Sequence, residues 1–273
     1  MWSTITRVRN VFEFLSLPFV RRAFIAGVLT AISGSLVGVP VVMRRMAFFG
    51  DGIAHVTFAS IAIALCFDLP ILPVAIGIAV IVALVLGYFV KKGVSEDTGI
   101  GVLFSSAMAF GIVAFSLMQE QRSLMSYLFG DILAVRNQDL FFMSTITGII
   151  VVFTFLLGDK LVYMSYDEEF VKAMGVKVDL IYYVFLVLLS VTIVSSVKIL
   201  GIVLVAAMLV IPAASSLLVL KSYRFSFILS PVIACISVFA GIVFSYIFDV
   251  PAGALIVLVQ SGIFFGILIL KRS

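Results

Sequence analysis

Of the 273 residues, 63% are hydrophobic and only 12% are charged, so the chain is too apolar for an ordinary water-soluble globule. Its formal net charge of +4 is spread in ones and twos between apolar runs, a pattern that suits lipid headgroups rather than nucleic acid. The two cysteines, Cys66 and Cys235, lie far apart inside apolar runs and suggest neither a disulfide framework nor a thiolate metal site.

In chain order, residues 1–22 carry Arg7, Arg9, Arg21 and Arg22 beside Phe12, Phe14, Leu15, Leu17 and Phe19, and read as an amino-terminal interfacial segment. The run 23–43 lacks a small-residue cleavage site and is long enough to be a retained span rather than a signal peptide. Apolar runs of spanning length recur near 52–69, 71–90, 99–118, 140–157, 179–197, 199–220, 226–248 and 251–270, which makes about nine spans. The runs 52–69 and 71–90 also read as one tight helical hairpin broken at Pro70 and Pro73. The fold class is therefore all-α, a polytopic transmembrane helical bundle with one membrane domain over 23–273. Small-residue pairs at Gly34/Gly38 and Gly262/Gly266 permit close helix approach.

Arg44, Arg45, Lys91, Lys92, Lys160, Lys172, Lys177, Lys221, Arg224, Lys271 and Arg272 fall in one set of connections, whereas the other holds only Arg122, Arg136 and Lys198 beyond the amino-terminal segment. The first set is expected in the cytoplasm, with the carboxyl end inside and the amino end outside. The four amino-terminal arginines run against that rule.

Three segments can carry chemistry. Asp51 and His55 are four apart, so on a helix they share a face, and a carboxylate with an imidazole suits zinc, manganese or iron. The incomplete donor set favours release, as a transport site requires; the plainer alternative is that Asp51 caps the helix and His55 is an interfacial residue. The stretch 158–178 is the most charged of the chain. Ser165 to Glu168 has capping-box spacing, Asp167, Glu168 and Glu169 form an acidic first turn, and Gly175 offers a stop, so a short cytoplasmic helix is expected there. Its Phe170 and Met174 form an apolar ridge that either docks on a soluble partner or lies in the interface. The third, Ser126 to Val135, is too short to span and centres on Asp131, which either greets a cation at an entrance or sits in water at the surface. No phosphate-binding Gly-x-x-x-x-Gly-Lys-Ser/Thr loop, Gly-x-Ser-x-Gly elbow or His-Glu-x-x-His pair occurs, so any ATP hydrolysis belongs to another chain.

Five patches occur together: Arg44 to His55, Glu96 to Gly101, Ser126 to Val135, Asp167 to Phe170, and Ile211 to Ala214. In this order they resemble the zinc/manganese/iron (ABC-3 type) permease family of bacterial ABC transporters, over a stretch from about residue 20 to the carboxyl end. The resemblance implies a type II importer-like permease of the bacterial plasma membrane, the inner membrane in a Gram-negative cell. It would act as a homodimer on a separate ABC ATPase, fed by an extracytoplasmic metal-binding protein. It would be a transport subunit rather than an enzyme, with no permanently bound cofactor and a divalent cation as cargo.

It further implies that 165–176 is the coupling helix, through which Asp167, Glu168, Glu169, Phe170, Met174 and Gly175 meet the ATPase, and that Asp51 and His55 are the signature metal pair. Many members place Leu-Pro-Gly or Leu-Leu-Gly just after the histidine, whereas Val56-Thr57-Phe58-Ala59-Ser60 follows here, so this helix is expected to run straighter. The run Ser245 to Gly253, with Gly130-Asp131, looks more like zinc members, and zinc is the expected cargo ahead of manganese or iron. Two rivals are a proton-coupled metal carrier with His55 as the titrating group, and a membrane hydrolase with His55 as base.

Overall fold

The structure, a computed structural model, describes residues 17–118, 135–220 and 222–272. Ten helices and no strand are found among the described residues: α1 (Pro18–Met43), α2 (Phe49–Cys66), α3 (Ile71–Lys91), α4 (Glu96–Met118), α5 (Asn137–Tyr166), α6 (Glu168–Ala173), α7 (Val178–Leu200), α8 (Ile202–Val219), α9 (Tyr223–Phe248) and α10 (Ala252–Arg272). All but α6 and α8 are long and apolar enough to cross a bilayer, and α8 is a shorter apolar helix, so the expected count of about nine stands.

Helices prevail because apolar surroundings leave backbone groups no other partner. Hydroxyls in the spans obey the same constraint: Thr57 donates to the Ile53 carbonyl at 2.9 Å and Ser60 to Val56 at 2.8 Å. The breaks have local causes. Pro70 precedes α3, Gly201 at φ 82° separates α7 from α8, and Asp249 in the left-handed region ends α9 before Pro251.

Two boundaries differ from expectation. Helix α1 starts at Pro18, so Arg21 and Arg22 belong to the first span rather than to an interfacial segment. Helix α5 runs to Tyr166, more than two turns past the expected end. Its Asp159 forms an ion pair with Arg224 at 2.9 Å, which lets the helix carry charge out of the apolar layer without ending.

Helices α1, α2 and α7 are the most deeply covered, and α3, α4, α5 and α10 turn most of their surface outward. α1 packs on α5, α8 and α9, and α2 on α3, α4 and α8. Gly38 shows how tightly: a Cβ there would collide with the backbone carbonyl of Leu209 on α8. Gly262 and Gly266, by contrast, face nothing within 4 Å.

The basic set gathers at one end of the bundle. Arg44 reaches Glu96 at 3.1 Å, Lys91 reaches Asp179 at 3.1 Å, and Lys271 donates to the Leu218 carbonyl at 2.6 Å. This is the end that the positive-inside rule assigns to the cytoplasm.

Candidate functional site

The cytoplasmic end of α2 is built from a tight turn. Arg44 closes α1, Arg45 takes φ 62°, and the Met46 N–H donates back to the Val41 carbonyl at 2.9 Å. Met46 and Phe49 are fully buried, which anchors the turn in the core. Asp51 follows between two glycines whose missing side chains let neighbours approach. A Cβ on Gly50 would stand 3.1 Å from the Ala206 backbone of α8, and one on Gly52 would stand 2.7 Å from Ile100 of α4. The two glycines thus let α2 approach α8 and α4 on either side of Asp51, and a side chain at either position would have to push its neighbour aside.

Asp51 lies in the first turn of α2 and makes no capping bond; Phe48 is the N-cap residue, so the capping alternative is not realised. His55 stands one turn deeper, about 9 Å from the start of a helix about 27 Å long. Both side chains are half-buried. The imidazole meets Phe104 of α4 edge-on, with centroids 4.9 Å apart at 71°. Helix α2 continues unbroken to Cys66, as the absence of Pro or Gly after His55 suggests.

No group of three or more His, Cys, Asp or Glu side chains poised to hold a metal occurs among the described residues. Asp131 lies outside them. Cys66 and Cys235 are not joined in a disulfide, and Cys66, at the far end of α2, is exposed. The chemistry available at the pair is therefore one carboxylate and one imidazole, two donors that leave most of a cation's coordination to water or to another chain.

Helix α6 is shorter than the expected 165–176 and is capped differently. Ser165 belongs to α5, where its hydroxyl donates to the Leu161 carbonyl at 2.9 Å, so no capping box forms from it. Asp167 is the true cap and accepts from the Phe170 N–H at 2.9 Å. Gly175, at φ 78°, lets the chain turn away after the helix. Glu168 pairs with Lys172 at 2.8 Å, and that hydrogen bond holds the Lys172 ammonium above its ordinary pKa. Glu169, Phe170 and Met174 are exposed, whereas Val171 is buried against the bundle.

One cluster escaped sequence reasoning. Arg44, only 9% exposed at its side chain, reaches Glu96 at 3.1 Å and Glu168 at 3.9 Å, and its guanidinium lies 4.7 Å from the centre of the Tyr182 ring. The Tyr182 hydroxyl donates to the same Glu96 oxygen at 2.8 Å. Three of these residues, Arg44, Glu96 and Glu168, sit inside the patches that carry the family resemblance, which is the available signal; their meeting with one another and with Tyr182 is a tertiary fact.

Comparison with known proteins agrees with this architecture. The profile of the ABC 3 transport family matches residues 16–271. The manganese transport system membrane protein MntC of Halalkalibacterium halodurans is 35% identical over 254 residues, covering 92% of this chain and 87% of the relative. The probable iron transport system membrane protein of Haemophilus influenzae is 30% identical, covering 92% and 93%. Among solved structures, PsaBC from Streptococcus pneumoniae in complex with Fab superposes with a TM-score of 0.83 at 28% identity, over 95% of this chain and 94% of that one. The chain belongs to the ABC 3 transport family, as the multi-pass permease subunit of a metal transporter in the bacterial plasma membrane, a transport component and not an enzyme.

Proposed function

We propose that two copies of this chain form the translocation path of an importer for a divalent first-row metal, manganese ahead of zinc and iron, with Asp51 and His55 as the intramembrane ligands. The observation that carries this reading is that a carboxylate and an imidazole on a spanning helix stay half-exposed in the single chain. Ionisable groups at membrane depth face a watery path or a protein partner rather than lipid, because hydrocarbon penalises them by several kcal/mol. A second copy across that face would supply both the enclosure and further ligands.

Manganese is preferred over the zinc that the sequence first suggests on two grounds. The donor pair of oxygen and imidazole admits manganese and zinc alike, and relatives 32% and 35% identical to this chain are manganese transport system membrane proteins. The zinc-like run Ser245 to Gly253 serves as the turn from α9 to α10, where the Ser245 hydroxyl donates to the Val250 carbonyl at 2.6 Å, so its resemblance is accounted for without a metal.

A separate ABC ATPase supplies the energy. It docks on the cytoplasmic ridge of Phe170 and Met174, both exposed on or beside α6, with Glu169 beside them. An extracytoplasmic metal-binding protein delivers the cation at the other end. The cation crosses without covalent chemistry or change of charge, and its release follows from a short ligand set opened to the cytoplasm.

The test is uptake of radioactive manganese(II) into liposomes carrying the permease, its ATPase and its binding protein. ATP-dependent uptake competed more strongly by manganese than by zinc or iron(II) is expected. Best competition by zinc would restore the zinc assignment. Uptake driven by a proton gradient without ATP would replace the importer by a proton-coupled carrier.

A further inference from the structure

The guanidinium of Arg44 is held on one side and idle on the other. Its Nη2 lies 3.1 Å from Glu96, the first residue of α4, and 3.9 Å from Glu168, the first residue of α6. Its Nε and Nη1 are buried with no hydrogen-bond partner among the described residues. Buried donors left unpaired are costly, so such a group gains free energy from any acceptor that can reach it.

The nearest carboxylate not yet bonded to the guanidinium is Glu168, which approaches at Nη2, beside Glu96, rather than at Nε or Nη1. It is 40% exposed at its side chain, its other oxygen is occupied by Lys172, and it stands about 1 Å beyond the length of a charge-assisted bond. Glu96 is already served twice, by Arg44 and by the Tyr182 hydroxyl. A displacement of α6 toward α1 by an ångström would add a second carboxylate to Arg44 without removing the first.

Arg44 is also mechanically continuous with the metal pair. It closes α1, the turn behind it is fixed by the Met46 to Val41 hydrogen bond and by the buried Met46 and Phe49, and Asp51 follows in the first turn of α2. We infer that Arg44 is a positioning residue that transmits displacement of α6 to the helix bearing Asp51 and His55, by gaining Glu168 as a second carboxylate partner when α6 moves inward. This rests on the importer reading above, in which α6 is the element the ATPase moves. A two-state contact whose strength differs between the states is what coupling requires.

The test uses the complete complex in liposomes, with radioactive manganese(II) taken up per ATP hydrolysed as the readout. Glu168→Gln and Arg44→Lys are each expected to lower that ratio at least fivefold while the ATPase still co-purifies, and the double variant is expected to be no worse than either single one. Lys172→Gln, which breaks only the pair within α6, is expected to match the wild type. An unchanged ratio in Glu168→Gln, additive losses in the double variant, or an equal loss in Lys172→Gln would each overturn the relay. If Arg44→Lys fails to assemble, Glu168→Gln, at a half-exposed position, decides alone. Absence of ATP-dependent uptake in the wild-type complex would overturn the importer reading and the relay together, whereas normal wild-type uptake with an unaffected Glu168→Gln removes the relay only.

Discussion

The imidazole of His55 is braced edge-on by the ring of Phe104, 4.9 Å away on the neighbouring helix α4. An aromatic pair of this geometry contributes about 0.5–1.5 kcal/mol beyond burial, and here it limits how far the imidazole can rotate. Phe104→Leu keeps the apolar volume but removes that brace. Half-maximal manganese concentration for uptake is expected to rise roughly two- to tenfold, the same free energy expressed as affinity. His55→Ala removes the donor itself and is expected to abolish uptake. In both variants, size-exclusion profiles and ATPase co-purification should match the wild type; full uptake by His55→Ala would take the imidazole out of the path.

Glycine spacing in α1 makes a separate prediction about assembly of the bundle. A methyl at position 38 has nowhere to go, because the Leu209 carbonyl of α8 fills the site and backbone cannot swing aside. Overpacking of this kind costs about 1–3 kcal/mol. Gly38→Ala should lower the thermal midpoint of the detergent-purified protein, while Gly262→Ala, with nothing within 4 Å, should leave it unchanged. Equal midpoints for the two variants would mean that α1 and α8 do not approach as closely as described.

Much of this fold is legible from hydropathy alone, because a bilayer demands about 20 apolar residues per helix and the chain provides them with charged punctuation between. The misreadings have physical causes. Hydropathy ends α5 near 157 because Asp159 and Lys160 interrupt the apolar run, yet Arg224 neutralises Asp159 from α9 and the helix continues to Tyr166. Ser165 and Asp167 are both eligible caps by type, and only the helical geometry around Ser165 decides between them. For the site, the Asp51 and His55 spacing is a local property and reads directly. The Arg44, Glu96, Tyr182 and Glu168 cluster draws on four helix ends separated by up to 138 positions, the span from Arg44 to Tyr182, and no local pattern announces it.

The exposed ridge on α6 predicts a separation of folding from docking. Phe170 and Met174 are 60% and 66% exposed, so charged replacements there disturb little inside the permease. Phe170→Asp with Met174→Asp is expected to release the ATPase from the membrane while the permease keeps its thermal midpoint. Asp167→Ala should act in the opposite manner. Losing the cap costs about 1 kcal/mol of helix stability, so docking should weaken by roughly fivefold rather than vanish. ATPase retained in full by the double aspartate variant would move the docking surface elsewhere.

Two of the ion pairs at the cytoplasmic end allow burial and charge to be told apart. Arg224 and Asp159 meet at 2.9 Å but are 65% and 48% exposed at their side chains, and water screens what they gain from one another. Arg44 and Glu96 meet at a similar distance with side chains only 9% and 17% exposed, and Arg44 already has donors without partners. Removing Glu96 leaves a buried cation with only the half-exposed Glu168, 3.9 Å away, as counter-charge, a change that approaches the cost of about 3–5 kcal/mol found where burial is complete. Glu96→Ala should therefore unfold at a markedly lower denaturant concentration than the wild type, and Asp159→Asn should shift the curve by no more than about 0.5 kcal/mol. Double variants sharpen the comparison. Adding Arg44→Met to Glu96→Ala removes the stranded charge and is expected to recover part of the loss, because an apolar side chain suits a site that no longer holds a carboxylate. Measured by denaturant titration in mild detergent, no recovery in that double variant would mean that Glu96 stabilises the helix start through Tyr182 rather than by neutralising Arg44.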